Sequence, residues 1–309
     1  MNNLSSNLEN QSWYELNQIY AIVRKKLFES SKWLLGPLHA RNSANKVVYQ
    51  LNKLGLSIQN KVYCDLGCGV QNPYGTSALM YINGASSAIA TDVSPIKNDK
   101  RTAVALYDLL LQCLAHPDDY HLTEINREEY FSRIYNFNLK ALKQEDLRKG
   151  TADIPIKHIV TSIYEPDISP ESIDIMSSRA VLEHFLEFEQ GCSQMYSLMK
   201  PEAVGIHFVD FVDHRAYKST EYHYWSFLAE EEEEWSQNMK HMMPHNRLRA
   251  SEIYKIFEET GFEIIGYNNK DRGEMPADFR KKIKGRFQLM SDEELSILRA
   301  EYVIKKSKK

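Results

Sequence analysis

The sequence predicts an α/β protein whose sheet is mainly parallel. Three observations carry this. Seven short runs rich in β-forming residues are separated by stretches with helical spacing, the pattern of strands joined by crossover helices. The first run ends in Asp65-Leu66-Gly67-Cys68-Gly69, a carboxylate followed by a Gly-x-Gly turn of the kind that leads from a strand into a helix. The second ends in "ATDVS", which places another carboxylate, Asp92, 23 residues beyond Gly69.

Taken in order, helices come first. Trp13, Leu16, Ile19, Tyr20 and Val23 share one helical face, and Ala44, Val47, Val48 and Leu51 share another, so 1–57 reads as N-terminal helices and 58–309 as the main domain. Strands are expected at 61–65, 87–93, 158–164, 172–178, 203–211, 261–268 and 299–306. Two segments break the alternation. Residues 98–153 are too long for one crossover helix and read as a helical insertion of two or three amphipathic helices. Residues 214–250 form an aromatic arm, dense in Tyr217, Tyr222, Tyr224, Trp225 and Phe227. Within it, Glu230 to Glu234 read as a solvated helix face.

Composition narrows the partners. Lys plus Arg number 38 against 42 Asp plus Glu, and the resulting charge of −4 offers no broad basic field, so no nucleic-acid partner is expected. Cys64, Cys68, Cys113 and Cys192 are too scattered for a disulfide framework or a zinc site and read as reduced thiols. No basic leader and no run of apolar residues long enough to span a membrane is visible, which makes a cytoplasmic protein the expectation. A homodimer is left open.

The glycine turn raises the question of its ligand. A dinucleotide site would admit a pyrophosphate to the helix N-terminus, where Asp65 would repel it, and Asn72 stands where the third glycine of that fingerprint belongs. S-adenosylmethionine reverses the preference: it has no phosphate, and it carries a sulfonium and an ammonium that a carboxylate attracts. Its ribose needs an acceptor at the tip of the second strand, and Asp92 sits at the offset such an acid takes.

From these residues the chain resembles the class I S-adenosylmethionine-dependent methyltransferases. The likeness runs in order through "DLGCG", "ATDVS", "SIDIMSSRAVLEHF" and "LMKPEAVGIHFVDF", and more weakly through "NRLRASEIYKIFEETGFEIIGY" to "AEYVIKK". It implies a Rossmann-like, seven-stranded sheet whose last strand runs antiparallel. It also implies that Asp65, Gly67, Cys68, Gly69, Asp92 and Val93 hold the cofactor. Ser162 and Ile163 stand where the family has an adenine-contacting acid, and "KPEAV" lacks the family's paired glycines. Asp174 serves as an alignment anchor with a structural role.

Candidates for the chemistry follow the fourth and fifth strands. The resemblance places His184 near the methyl end of the cofactor, where an imidazole could take a proton from an acceptor; simple packing against the turn is the other reading. Arg179, at the strand-four tip, is a candidate for binding the cofactor or an acceptor anion. Asp213 and His214 are candidates to orient or deprotonate the acceptor. No metal is expected, because strand alternation sends Asp210 and Asp213 opposite ways. The arm reads as a lid wall, with Tyr222, Tyr224 and Trp225 facing the acceptor and covering it together with the insertion, against ordinary packing of either segment. His245, Asn246, Arg247 and Arg249 are expected to help start the next helix, with Asn246 and Arg247 also candidates for the acceptor mouth. The expected reaction is methyl transfer to an oxygen, or less readily a nitrogen, of a small molecule; a protein or peptide methyltransferase and a non-catalytic scaffold are the alternatives.

Overall fold

A computed structural model describes residues 37–239 and 244–308. The chain divides into two compact units, the first ending at Thr161 and the second beginning at Ser162. The helical face expected from Trp13 to Val23 lies outside the described residues.

The first unit begins with helix α1 (Pro37–Lys53), which buries Ala44, Val47, Val48 and Leu51 as its spacing requires. Strand β1 (Val62–Leu66), helix α2 (Gly75–Ile82) and strand β2 (Ser87–Asp92) follow, and β3 (Ile156–Val160) closes the unit. β2 lies between β1 and β3, parallel to both, with Asp65 opposite Ala90 and Asp92 opposite Val160. Helix α2 is buried on nearly every side, so its apolar run shows no helical stripe.

The insertion contains five helices where two or three were expected: α3 (Asp99–Ala115), α4 (Pro117–Tyr120), α5 (Arg127–Tyr135), α6 (Leu139–Lys143) and α7 (Leu147–Gly150). Local caps explain the division. The side chains of Asn98, Asn126, Asn138 and Asp146 each accept a backbone N–H in the first turn of α3, α5, α6 and α7 respectively, restarting the chain as a helix each time. The insertion is fastened to the end of α2: Asn83 donates to the Tyr120 carbonyl at 3.0 Å, and Arg133 donates to the carbonyls of Tyr81 and Ala85 at 2.9 and 2.7 Å.

The second unit holds strands β4 (Ile173–Arg179), β5 (Met199–Asp210), β6 (Phe262–Arg272) and β7 (Ile297–Lys306), with helices α8 (Phe188–Leu198), α9 (Glu232–Met239), α10 (Ala250–Thr260), α11 (Ala277–Arg280) and α12 (Asp292–Ser296). β4 and β5 are parallel, while β7 runs antiparallel to both β5 and β6. Strand order is β3-β2-β1 in the first unit and β4-β5-β7-β6 in the second. Parallel pairing within the first unit, and in the second a last strand, β7, that alone runs against its neighbours, fit the Rossmann-like arrangement that the resemblance implied. Asp174 is tied to Lys200 at 2.7 Å, the structural role expected of it.

The arm builds a core of its own. Trp225, Phe227, Leu228 and Trp235 are buried with Phe279, Ile283, Phe287 and Leu295 from the segment between β6 and β7, and with Leu298 of β7. Trp225 is therefore no acceptor wall: its indole N–H donates to the Leu295 carbonyl at 2.7 Å. Among the glutamates, Glu231 to Glu234 are exposed as expected, whereas Glu230 is drawn inward by an ion pair with Arg215 at 2.5 Å. No helix among the described residues is long and apolar enough to cross a membrane.

Candidate functional site

In the first unit the site is the loop between β1 and α2. Gly67 and Gly69 take φ of 72° and 75°, left-handed values that side chains disfavour, and an added Cβ at Gly69 would meet no atom within 4 Å. One surface of this backbone is thus bare. Asp92 holds the loop in place, its Oδ2 accepting the Gly69 N–H and its Oδ1 the Ser94 N–H, both at 2.9 Å. A carboxylate has lone pairs beyond these two for a ligand hydroxyl. Cys68 adds a backbone bond to the Thr91 carbonyl at 2.8 Å, and Val93 beside it is 71% exposed.

Asp65 lies behind the turn. Burial raises its carboxyl to about 7, a hydrogen bond with Thr76 working against the rise and the charge of Asp92 adding to it. Once ionised, a buried carboxyl of this kind favours a cationic ligand. The loop also accounts for Asn72. Helix α2 starts only at Gly75, so the glycine that close packing demands has moved there: a Cβ on Gly75 would stand 2.6 Å from Asn72 Nδ2 and 3.0 Å from Ala40 Cβ.

In the second unit, Ser162 and Ile163 follow the tip of β3 as counted from the sequence. Ser162 Oγ accepts the Tyr164 N–H at 3.2 Å, and Ile163 is 7% exposed. Arg179 closes β4 and is exposed.

Three histidines gather beyond these strands. His184 ends the short turn Leu182–His184 after β4, His214 begins another after β5, and His245 precedes α10. Ring centroids are 5.1 Å apart for His184 and His214, 5.2 Å for His214 and His245, and 6.2 Å for His184 and His245. Burial is the chief reason each imidazole is held below its usual pKa, and for His214 and His245 mutual repulsion with the other histidines adds to it. Each is thereby biased toward its neutral form. His184 Nδ1 bonds to the Pro244 carbonyl. A carbonyl can only accept, so Nδ1 carries the proton and Nε2 keeps its lone pair.

Asn246 fastens this cluster. Its N–H donates to the Glu183 carbonyl at 2.8 Å, and its Nδ2 donates to the carbonyls of Leu182 and Phe185 at 2.8 and 3.0 Å. Asn246 is thus a latch between two distant segments instead of a residue at an acceptor mouth. Arg247 and Arg249 are likewise interior: Arg247 donates to the carbonyls of Phe227 and Glu230, and Arg249 to those of Phe211, Leu295 and Ile297. The Arg249 N–H is received by Glu252, which completes the start of α10.

Asp213 does not serve as a base. It is fully buried, and the Arg215 guanidinium grips both its oxygens at 2.6 to 3.1 Å, so its lone pairs stabilise the turn after β5. Asp210 accepts from Tyr217 at 2.6 Å. Tyr222 lies over the Arg215 guanidinium at 4.5 Å, and Tyr224 is 44% exposed.

The residue that sequence reasoning passed over is Glu183. It is 1% exposed, 4.0 Å from His214 Nε2, and burial raises its carboxyl to about 8. Its signal was present in the quoted "RAVLEHF", an acid beside the histidine in the turn after β4.

Comparison with known proteins gives the family. The family model described as a methyltransferase domain matches residues 39–266. No curated protein matches the sequence. Among solved structures, an S-adenosylmethionine-dependent methyltransferase from Mesorhizobium loti is 13% identical with a TM-score of 0.44, covering 83% of this chain and 96% of its own. Phosphoethanolamine N-methyltransferase 2 from Haemonchus contortus is 14% identical with a TM-score of 0.45, covering 85% of this chain and 53% of its own.

Proposed function

The chain belongs to the class I S-adenosylmethionine-dependent methyltransferase family, and we propose that it transfers the methyl group to an oxygen of a small-molecule acceptor, with nitrogen the second choice. The observation that carries this reading is the His184 tautomer, its Nδ1 hydrogen given to the Pro244 carbonyl and its Nε2 lone pair left to accept a proton. A neutral imidazole is what a hydroxyl acceptor needs and what an already ionised acceptor does not.

Each site residue has a proposed role. Asp65 attracts the cationic end of the cofactor, and the turn of Gly67, Cys68 and Gly69, open at Gly69, lets it approach. Asp92 takes the ribose hydroxyls, Val93 gives a flat apolar contact, and Ser162 and Ile163 serve the adenine. Arg179 binds a carboxylate of the cofactor or the acceptor. The displacement spreads positive charge without creating it, so the protein's main contributions are alignment and exclusion of water. As the carbon moves, His184 or His214 takes the acceptor proton.

The test is turnover against a panel of hydroxylated small molecules. With an acceptor in hand, His184→Ala or His214→Ala lowers kcat about 100-fold while S-adenosylhomocysteine affinity holds nearly constant. Wild-type kcat in both variants, with chemistry rate-limiting, rules out a histidine base.

A further inference from the structure

Glu183 has no place in that reading, yet it sits among the histidines. Its side chain is buried, and its oxygens meet no donor at full hydrogen-bond geometry; the backbone N–H groups of Glu183 and Asp210 only partly offset the cost of burial. An ionised carboxylate so weakly supplied with donors is costly to bury, and a proton or a cation relieves that cost. The neighbouring groups suit a cation. One ligand atom from each of Glu183, His184 and His214 lies within 4.8 Å of the other two, and Glu183 Oε1 is 4.0 Å from His214 Nε2. Around a first-row divalent ion, ligand atoms at about 2.1 Å from the metal stand roughly 3 to 4 Å apart, so a small side-chain rotation closes the triad.

His184 is already prepared for this. Its Nδ1 bond to the Pro244 carbonyl is the outer hydrogen bond that fixes the tautomer of a ligating imidazole. His245 falls outside the donor set, because its Nδ1 accepts the Arg247 N–H at 3.1 Å and its Nε2 therefore keeps a hydrogen.

We propose that Glu183, His184 and His214 bind one divalent first-row transition-metal ion. Two imidazoles and one carboxylate favour cobalt, zinc, manganese or iron over magnesium and calcium, which prefer oxygen donors. Three protein ligands leave positions open for water or an acceptor oxygen. A hydroxyl bound there gives up its proton to solvent more readily under the charge of the ion, and the imidazoles are then ligands, no longer bases. That use rests on the transferase reading; the binding site does not.

The experiment titrates untagged, chelator-stripped protein with CoCl2, followed by visible absorption and calorimetry, with MgCl2 for comparison. The expected result is one equivalent of Co2+ per chain, a much weaker response to Mg2+, and at least tenfold weaker Co2+ binding in Glu183→Gln and His214→Ala. S-adenosylhomocysteine binding, measured on the same samples, reports that each variant is folded, and His214→Asn replaces the alanine variant if that one fails. Wild-type protein that binds S-adenosylhomocysteine but takes up no saturating Co2+ overturns the proposal, as does equal uptake by wild type and variants. Co2+ uptake without S-adenosylhomocysteine binding instead counts against the transferase reading.

Discussion

The glycine loop of the first unit and the histidine cluster of the second are built in opposite ways. The loop is nearly continuous in sequence: Asp65 to Gly75 make the turn, and the end of β2 holds it through backbone N–H groups, Asp92 accepting from Gly69 and the Thr91 carbonyl from Cys68. The cluster is assembled from the turn after β4, the end of β5 and the segment before α10. It is joined through side chains such as Asn246 and Arg249 that reach across 38 to 64 residues. A site made by backbone conformation tolerates changes in its neighbours. A site made by buried polar side chains depends on each of them.

The largest expected effect tests that dependence. Arg249→Met leaves the carbonyls of Phe211 and Ile297 without the guanidinium in a dry interior. It should lower unfolding free energy by about 3 to 5 kcal/mol, measured as a shift of the urea midpoint at constant slope. The cap removal Asn98→Ala in the first unit should cost only about 1 kcal/mol. Similar losses in the two variants would break the comparison.

The same contrast explains what could be read in advance. Glycine spacing, acid offset and strand alternation are local signals, and they placed the seven strands, Asp65 and Asp92. Long-range pairing leaves no local trace. Asp213 looked like a free carboxylate at a strand tip because nothing in "VDHRAY" says that Arg215 folds back on it, and Trp225 looked like a lid residue because its core partners lie 54 to 73 positions later. The insertion was legible as helical but miscounted, since asparagine caps at Asn126 and Asn138 are weak signals beside apolar periodicity. Gly75 escaped notice because the loop is longer than the fingerprint assumes.

Asp92 is the next test. Asp92→Ala should weaken S-adenosylmethionine binding by about 1.5 to 3 kcal/mol by calorimetry, because it removes both the proposed ribose acceptor and the loop's own fastening; Asp92→Asn, which keeps one acceptor oxygen, should lose less. Unchanged affinity in a folded alanine variant would take the ribose role away from Asp92.

A pH titration gives a smaller, graded effect. The Asp65 carboxyl is raised by burial to about 7, above its value of 3.8 in an unfolded chain, so its contribution to stability is fully present below about 3.8 and lost as pH rises through 7. A cationic ligand needs the ionised form. Affinity for S-adenosylmethionine should therefore rise with pH by up to about tenfold per unit below pH 7 and level off above it. Asp65→Asn should flatten the profile, and an unaltered pH dependence in that variant would move the effect to another group.

The smallest expected effect separates backbone strain from ligand contact. Gly55, after α1, and Gly69, in the loop, have nearly the same backbone, φ +68° and +75°, and a Cβ added to either meets no atom within 4 Å. Alanine at each position should therefore cost a similar amount of stability, about 1 kcal/mol, from the left-handed conformation alone. Their effects on cofactor should part. If the bare side of Gly69 is where S-adenosylhomocysteine lies, the new methyl group competes with it, and Gly69→Ala loses at least tenfold in affinity while Gly55→Ala loses none. Thermal unfolding with and without S-adenosylhomocysteine reads both quantities on the same samples, since a ligand that binds only the native state raises the transition in proportion to its affinity. Equal ligand-induced shifts in the two variants would mean that the open face of Gly69 is not the cofactor's, and that the loop's glycines serve the turn rather than the ligand.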